Sequence, residues 1–310
     1  MSRRVVTNVA ASVRSRLLHL AREQQEDFGL ILSRYAIQRL LYRLSQSPHA
    51  EDFILKGAQL FAVWTETPHR TTRDLDLLCR GAPVLARVEG IFRELCQQQA
   101  APPDGITFRA DSVRAEAIRE TAVYDGMRVL LEYELSGARD RLQVDVGFGD
   151  AVVPPPETVV LPALLDLPAP HLRAYPREAV VAEKYEAMVA LGIINSRMKD
   201  FYDVWGLARQ FRFEGERLCQ ALGATFSRRG TPLPPEPPVA LSSEFSESPD
   251  KQTQWRAFLR RTKLPAETDL AAVVAELRAF LMPPTLAIIS GRPFPMVWSP
   301  AEQWQPRPEA

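Results

Sequence analysis

The 310-residue chain has only three cysteines and four histidines. Cys79, Cys96 and Cys219 are odd in number and lack CxxC or histidine spacing. That excludes a disulfide framework and a zinc site and leaves three reduced packing residues. The histidines are scattered and no GxSxG occurs, so a hydrolase triad has no support. There is no GxxxxGK[ST], which argues against a P-loop NTPase. No apolar run approaches the roughly 18 residues a membrane span needs, and no charged-then-apolar leader ends in a small-residue cleavage site. The expectation is a globular cytoplasmic protein with no membrane partner. Excess charge is missing too: 38 Lys and Arg balance 38 Asp and Glu. The whole-molecule field therefore gives no general attraction to nucleic acid, and any such contact has to be local.

Lysine is scarce. It occurs only at 56, 184, 199, 251 and 263 in a chain that otherwise uses arginine. A compact ammonium kept in an arginine-using chain suits a triphosphate, and the first three of these lysines fall inside the motifs described below. With 46% hydrophobic residues the chain can bury a full core, as one large or two small domains.

Val9, Val13, Leu17 and Ala21, then Phe28, Leu32, Ala36, Leu40 and Leu44, recur at four-residue spacing and read as two amphipathic helices in an N-terminal layer, residues 1–50. Arg14, Arg16, Arg22, Arg34, Arg39 and Arg43 decorate them, as a solvated face or an RNA-facing stripe. A catalytic core over 51–155 follows. It has a strand at 53–55, a helix at 57–64, a strand carrying Asp74 and Asp76, a helix at 84–96, and antiparallel strands at 113–118, 127–135 and 141–148. Asp125-Gly126 is the turn signal between the first two of those antiparallel strands. The proline-rich stretch 156–176 reads as a surface linker. From 177 to 310 the pattern is helical: 177–191, 198–211, 216–227, 253–261 and 270–281. The tail after Pro283 is a packed strap or a disordered end.

In Arg73-Asp74-Leu75-Asp76-Leu77, strand alternation would aim Asp74 and Asp76 to one side, about 7 Å apart, with Leu75 and Leu77 facing the core. Two such carboxylates suit Mg²⁺, which completes its shell with water and substrate phosphates. If the strand extends back to Thr72, its hydroxyl shares that face. Asp145 sits on the polar side of another alternating strand, with Gly147 leaving space beside it; it is a solvated edge residue or a third ligand. Gly57 and Ala58 open the helix after the first strand, where backbone amides can approach phosphate. Lys56, Arg70 and Arg73 flank these positions as cations for a triphosphate. Lys199, Asp200 and Asp203 lie three and four residues apart on one predicted helix face.

Five ordered segments carry a resemblance: FILKGAQL (53–60), RTTRDLDL (70–77), LQVDVGFGDA (142–151), AEKYEA (182–187) and NSRMKDFYD (195–203). From about Val5 to Leu281 the chain resembles the AbiEii/AbiGii-type nucleotidyltransferase toxins, relatives of the polymerase-β-like nucleotidyltransferases. Where the broad superfamily often has Gly-Ser or Gly-Gly, this chain has Gly57-Ala58, which removes a hydroxyl and keeps the amides. The resemblance implies an α/β fold with a nucleotidyltransferase-type mixed sheet and flanking helices, followed by a mainly α-helical C-terminal domain. It implies Mg²⁺ on Asp74 and Asp76, with Asp145 completing the shell or activating the acceptor. Lys184, and by extension Lys199, would neutralise NTP phosphates, and Asp200 or Asp203 would orient Lys184 or meet the acceptor. The implied activity is transfer of NMP to RNA, a tRNA 3′ end being the expected acceptor, by a toxin held in check by an antitoxin. No DNA partner is expected. The alternatives are nucleotide transfer to a protein or small molecule, and a nucleotide-binding regulator that performs no transfer.

Overall fold

The computed structural model describes residues 8–65, 70, 72–121, 124–265, 268–300 and 302–307. It divides into two compact units, Met1–Gly149 with Glu157–Ala174, and Asp150–Pro156 with Tyr175–Ala310.

The first unit opens with helices α1 (Val9–Glu23) and α2 (Phe28–Ser45). Their starts are set by side-chain caps: Asn8 accepts from the Ala11 amide at 3.0 Å and Asp27 from the Leu30 amide at 3.2 Å. Then come β1 (Phe53–Lys56), a 3₁₀ turn (Gly57–Leu60), the single-turn α3 (Phe61–Trp64), β2 (Leu75–Cys79) and α4 (Leu85–Gln97). Six further strands follow: β3 (Thr107–Phe108), β4 (Arg114–Thr121), β5 (Tyr124–Leu135), β6 (Ala138–Phe148), β7 (Glu157–Val160) and β8 (His171–Ala174). The sheet order is β3-β5-β6-β2-β1-β8-β7, with β4 also on β5. The sheet is mixed: β2 runs parallel to β6 and antiparallel to β1, while β8 runs parallel to β1. Leu55, Leu75, Leu77, Val144 and Val146 are buried, and α2 and α4 pack on the sheet. Each such side chain contributes about 1.5–3 kcal/mol of burial.

Three expectations are corrected in this unit. The stretch read as a linker contains β7 and β8, which extend the sheet beyond β1; prolines flank these strands without entering them. Asp125 and Gly126 lie inside β5, opposite Arg119 and Ile118, and so are not the turn between those strands. The arginines of α1 and α2 form neither a solvated face nor an RNA stripe throughout. Arg39 and Arg43 are buried against Asp104, with Nε of Arg39 at 2.9 Å and Nη1 of Arg43 at 2.7 Å from Oδ2. Arg34 pairs with Glu26 at 2.9 Å.

The second unit has α5 (Arg177–Leu191), α6 (Met198–Gln210), β9 (Phe213–Glu214), α7 (Gly215–Arg229), the short α8 (Ser243–Ser246), α9 (Pro249–Thr262), α10 (Leu270–Ile289), β10 (Met296–Ser299) and β11 (Gln303–Pro306). The C-terminal stretch is a packed hairpin: β10 pairs with β11 and with β9, and Trp298 is buried. The three cysteines are free; burial pushes the Cys96 thiol up to about 12 and that of Cys219 up to about 11, as inert packing groups require.

α10 departs most from expectation, running through Pro283 and Pro284 instead of stopping at Leu281. With 20 residues and a mean hydropathy of 1.6 over its apolar window it is long and apolar enough to cross a membrane, yet it packs on α6 and α7 with half of that window buried. Proline removes the amide that would have served the carbonyl four residues earlier. For Pro284 that carbonyl is Phe280, and the indole Nε1–H of Trp304 donates to it at 3.0 Å. The hairpin thus supplies the bond the proline deletes. Trp304→Phe is expected to cost about 1–3 kcal/mol by leaving that buried carbonyl unpaired. Chemical denaturation of the full chain measures it, and an unchanged midpoint contradicts the repair.

Candidate active site

The site in the first unit is built by strand register. Lys56 stands opposite Asp76 across β1–β2, Asp76 opposite Asp145 across β2–β6, Asp145 opposite Arg128 across β6–β5, and Arg128 opposite Glu116 across β5–β4. Residues paired in register share a face, so one charged row crosses five strands. The apolar neighbours one step along each strand face the core.

Asp145 is held firmly. Arg128 donates to it in bidentate fashion, Nε to Oδ1 at 2.9 Å and Nη2 to Oδ2 at 3.0 Å, and the Gln143 amide donates at 3.2–3.3 Å. The Asp145 hydrogen bond raises the Arg128 pKa despite desolvation, with the charges of Asp145, Glu116 and Asp74 adding. Among the described residues no group of three His, Cys, Asp or Glu side chains is placed to hold a metal. Asp145, expected to complete a metal shell or to activate the acceptor, is engaged here by Arg128 and Gln143.

Asp76 is positioned by glycine. Gly57 has φ +75°, a conformation side chains rarely adopt. A Cβ there would overlap the Asp76 carboxylate. The Gly57 Cα face is thus the space Asp76 fills. Asp74 lies exposed just before β2. Its amide donates to Thr72 Oγ1 at 3.3 Å, and Gln59 Nε2 donates to its carbonyl at 3.3 Å. Because β2 begins at Leu75, Thr72 belongs to a turn that fixes Asp74, not to the strand face. Two hard carboxylate donors, one in a cradle that a Cβ would fill, fit a divalent ion whose remaining ligands are water and phosphate.

The cations divide differently from expectation. Lys56 is buried in the sheet. Arg73 is exposed and reaches Asp27 at 3.7 Å. Arg70 is half-buried, as are Gly57 and Ala58. The helix expected at 57–64 is a 3₁₀ turn followed by one α turn, too short to carry a macrodipole argument.

In the second unit, Lys184 of α5 meets α6. Its Nζ lies 2.6 Å from Asp200 Oδ1 and 2.9 Å from Asp203 Oδ2, and Arg197 Nε lies 2.8 Å from Asp200 Oδ2. Both aspartates are fully enclosed, whereas Lys199 is exposed. Asp200 and Asp203 thus both pair with Lys184, and Lys199, expected on their helix face, is exposed while they are enclosed. Burial raises the Asp200 carboxyl, but the charges of Lys184 and Arg197 outweigh it and hold its pKa below the ordinary value.

A family model described as nucleotidyl transferase AbiEii toxin, Type IV TA system, matches residues 39–280. The chain belongs to the AbiEii nucleotidyltransferase toxin family. It is a nucleotidyltransferase, of a family whose toxin–antitoxin setting implies a nucleotide substrate and an antitoxin partner. The chain is similar to the crystal structure of JHP933 from Helicobacter pylori, at 16% identity over 86% of this chain and 94% of that one, with a TM-score of 0.49. It is also similar to a second H. pylori structure, described as a candidate nucleotidyltransferase, at 17% identity over 86% and 96% with a TM-score of 0.44. No curated protein matches the chain. Every site residue expected from sequence, from Lys56 to Asp203, falls inside the AbiEii span.

Arg128, Gln143 and Arg197 were missed. The signal for Arg128 was the Ser136-Gly137 turn, where both residues have positive φ. Such a two-residue turn sets a hairpin register, and counting outward from it brings Arg128 opposite Asp145.

Two outcomes follow from this geometry. Gly57→Ala forces a side chain into both a left-handed backbone and the Asp76 carboxylate, so transfer should fall at least about 100-fold, as a misplacement near 1 Å does; a single-turnover assay reads it, and activity within a few-fold of wild type contradicts the cradle. Lys184→Met leaves two enclosed carboxylates facing one arginine and should cost about 3–5 kcal/mol. Because the native Asp200 pKa is lowered, the stability it contributes is present above the ordinary aspartate value and is lost as pH falls below it. Urea unfolding of wild type against pH should show that acid loss, and a Lys184→Met midpoint equal to wild type would show the cluster to be unimportant for folding.

Proposed function

We propose that this AbiEii-family nucleotidyltransferase is a Mg²⁺-dependent cytoplasmic toxin that transfers NMP from an NTP to RNA. A tRNA 3′ end is the proposed acceptor, and its extension would block aminoacylation and hence translation. The observation that carries the metal reading is the Asp76 carboxylate seated on Gly57, two residues from an Asp74 whose backbone is pinned by Thr72 and Gln59.

In the reaction the acceptor hydroxyl oxygen attacks the α-phosphorus and gives up its proton to water, the bond from that phosphorus to the oxygen bridging to the β-phosphate breaks, and pyrophosphate leaves. Asp74 and Asp76 would hold the divalent ion, which when bound stabilises the charge on the attacking and leaving oxygens. Gly57 keeps Asp76 in place. Arg128 neutralises Asp145 and so lowers the negative charge a triphosphate would meet along the row. In the second unit we assign Lys184 to phosphate charge, its ammonium oriented by Asp200 and Asp203.

The deciding experiment incubates the purified chain with each α-³²P NTP, Mg²⁺ and total RNA. Label in a tRNA band is the expected result; label only in protein, or none, overturns the RNA reading. Asp76→Asn keeps the side-chain shape and loses its charge, so transfer should fall by about 1,000-fold or more and growth inhibition should disappear while the melting temperature changes little. Wild-type toxicity in Asp76→Asn would remove the metal assignment.

A further inference from the structure

The second unit contains a cavity of about 630 Å³ between the start of α6 and the last turns of α9. Arg197, just before α6, and Lys199 of α6 line it with Arg260 and Arg261 of α9, and among the described residues no acidic one lines it. In a chain of zero net charge, four cations facing one space need a cause. Helix stabilisation explains only half of them. Arg260 and Arg261 complement the negative end of the α9 dipole, but Arg197 and Lys199 sit at the positive end of α6, where cations are disfavoured. Ion pairing explains only one: Arg197 uses Nε on the enclosed Asp200, an anchor that orients its guanidinium. Lys199, Arg260 and Arg261 are exposed and have no carboxylate partner among the described residues. On α2, by contrast, Arg34, Arg39 and Arg43 all have carboxylate partners.

Like charges brought together repel, and the arrangement is relieved by a polyanion. Among the described residues the one aromatic side chain in the lining, Phe258, is buried, so none of them offers an exposed ring as a stacking platform for bases. Cations without such a ring suit phosphodiester oxygens, which position a nucleic acid without reading its sequence. We propose that this cavity docks the sugar–phosphate backbone of the RNA acceptor. The proposal rests on the RNA reading above and adds to it a site for holding the acceptor; it moves Lys199 from the expected NTP contact to the acceptor, and its Arg197 is linked through Asp200 to Lys184.

The test is equilibrium binding of fluorescently labelled total tRNA to the full chain, without NTP, across a salt series. Arg260→Glu with Arg261→Glu should weaken binding about tenfold or more near 0.15 M salt and flatten the slope of log K against log salt by about two. Arg260→Lys with Arg261→Lys should restore affinity to within about threefold, since phosphate contacts need charge more than a bidentate fork. A charge-matched control on α1, Arg14→Glu with Arg22→Glu, should bind as wild type does. Equal thermal melts exclude misfolding. Unchanged affinity and slope in the α9 reversal, or an equal loss in the α1 control, overturns the cavity. The two readings fail separately. If tRNA is labelled normally by a cavity variant that binds it normally, docking is wrong and transfer stands. If tRNA binding depends on the cavity while no RNA is ever labelled, transfer to RNA is wrong and docking stands.

Discussion

The parallel pairing of β2 with β6 is the constraint on which the site in the first unit depends. It sets Asp76 beside Asp145, and the antiparallel pairings on either side add Lys56 and Arg128 to the same row. Because strand side chains alternate, a slip of one residue at β2 would turn Asp76 inward and Leu75 or Leu77 outward. The buried leucines and valines on the opposite face therefore secure that register. Gly57 completes the constraint from β1, since only a residue without a Cβ leaves room for the Asp76 carboxylate.

Charge compensation runs through both units. In the first, Arg128 and Gln143 hold Asp145, and Arg39 and Arg43 hold Asp104. In the second, Lys184 and Arg197 hold Asp200, with Asp203 on the far side of the ammonium. These enclosed groups are costly to bury singly and tolerable in balanced sets. Asp74, just before β2, stays exposed, and Lys199, Arg260 and Arg261 are cations left open on α6 and α9. Function is proposed for these open groups and for Asp76 and Lys184, which their neighbours hold in place.

Much of this was legible in the chain. The helices at 177–191 and 198–210 and the strand around Asp145 follow from periodicity, and the ordered motifs identify the AbiEii family. What escaped depends on distant partners. Arg39 and Arg43 look like surface arginines until Asp104 is brought to them. α10 looks finished at Leu281 until Trp304 supplies the hydrogen bond that Pro284 removes. The run from 156 to 176 looks like a linker because strand pairing with β1 cannot be read from the segment itself. Thr72 would share the carboxylate face only if the strand reached it, and β2 starts three residues later.

The central claim is that Asp74 and Asp76, with Gly57 behind Asp76, form a metal–nucleotide site. Titration calorimetry of the full chain with a non-hydrolysable NTP, with and without Mg²⁺, tests it most directly. The account predicts that Mg²⁺ strengthens nucleotide binding to wild type about tenfold or more and that Asp76→Asn abolishes this enhancement, as loss of a charged oxygen ligand requires. An equal Mg²⁺ enhancement in Asp76→Asn would contradict it.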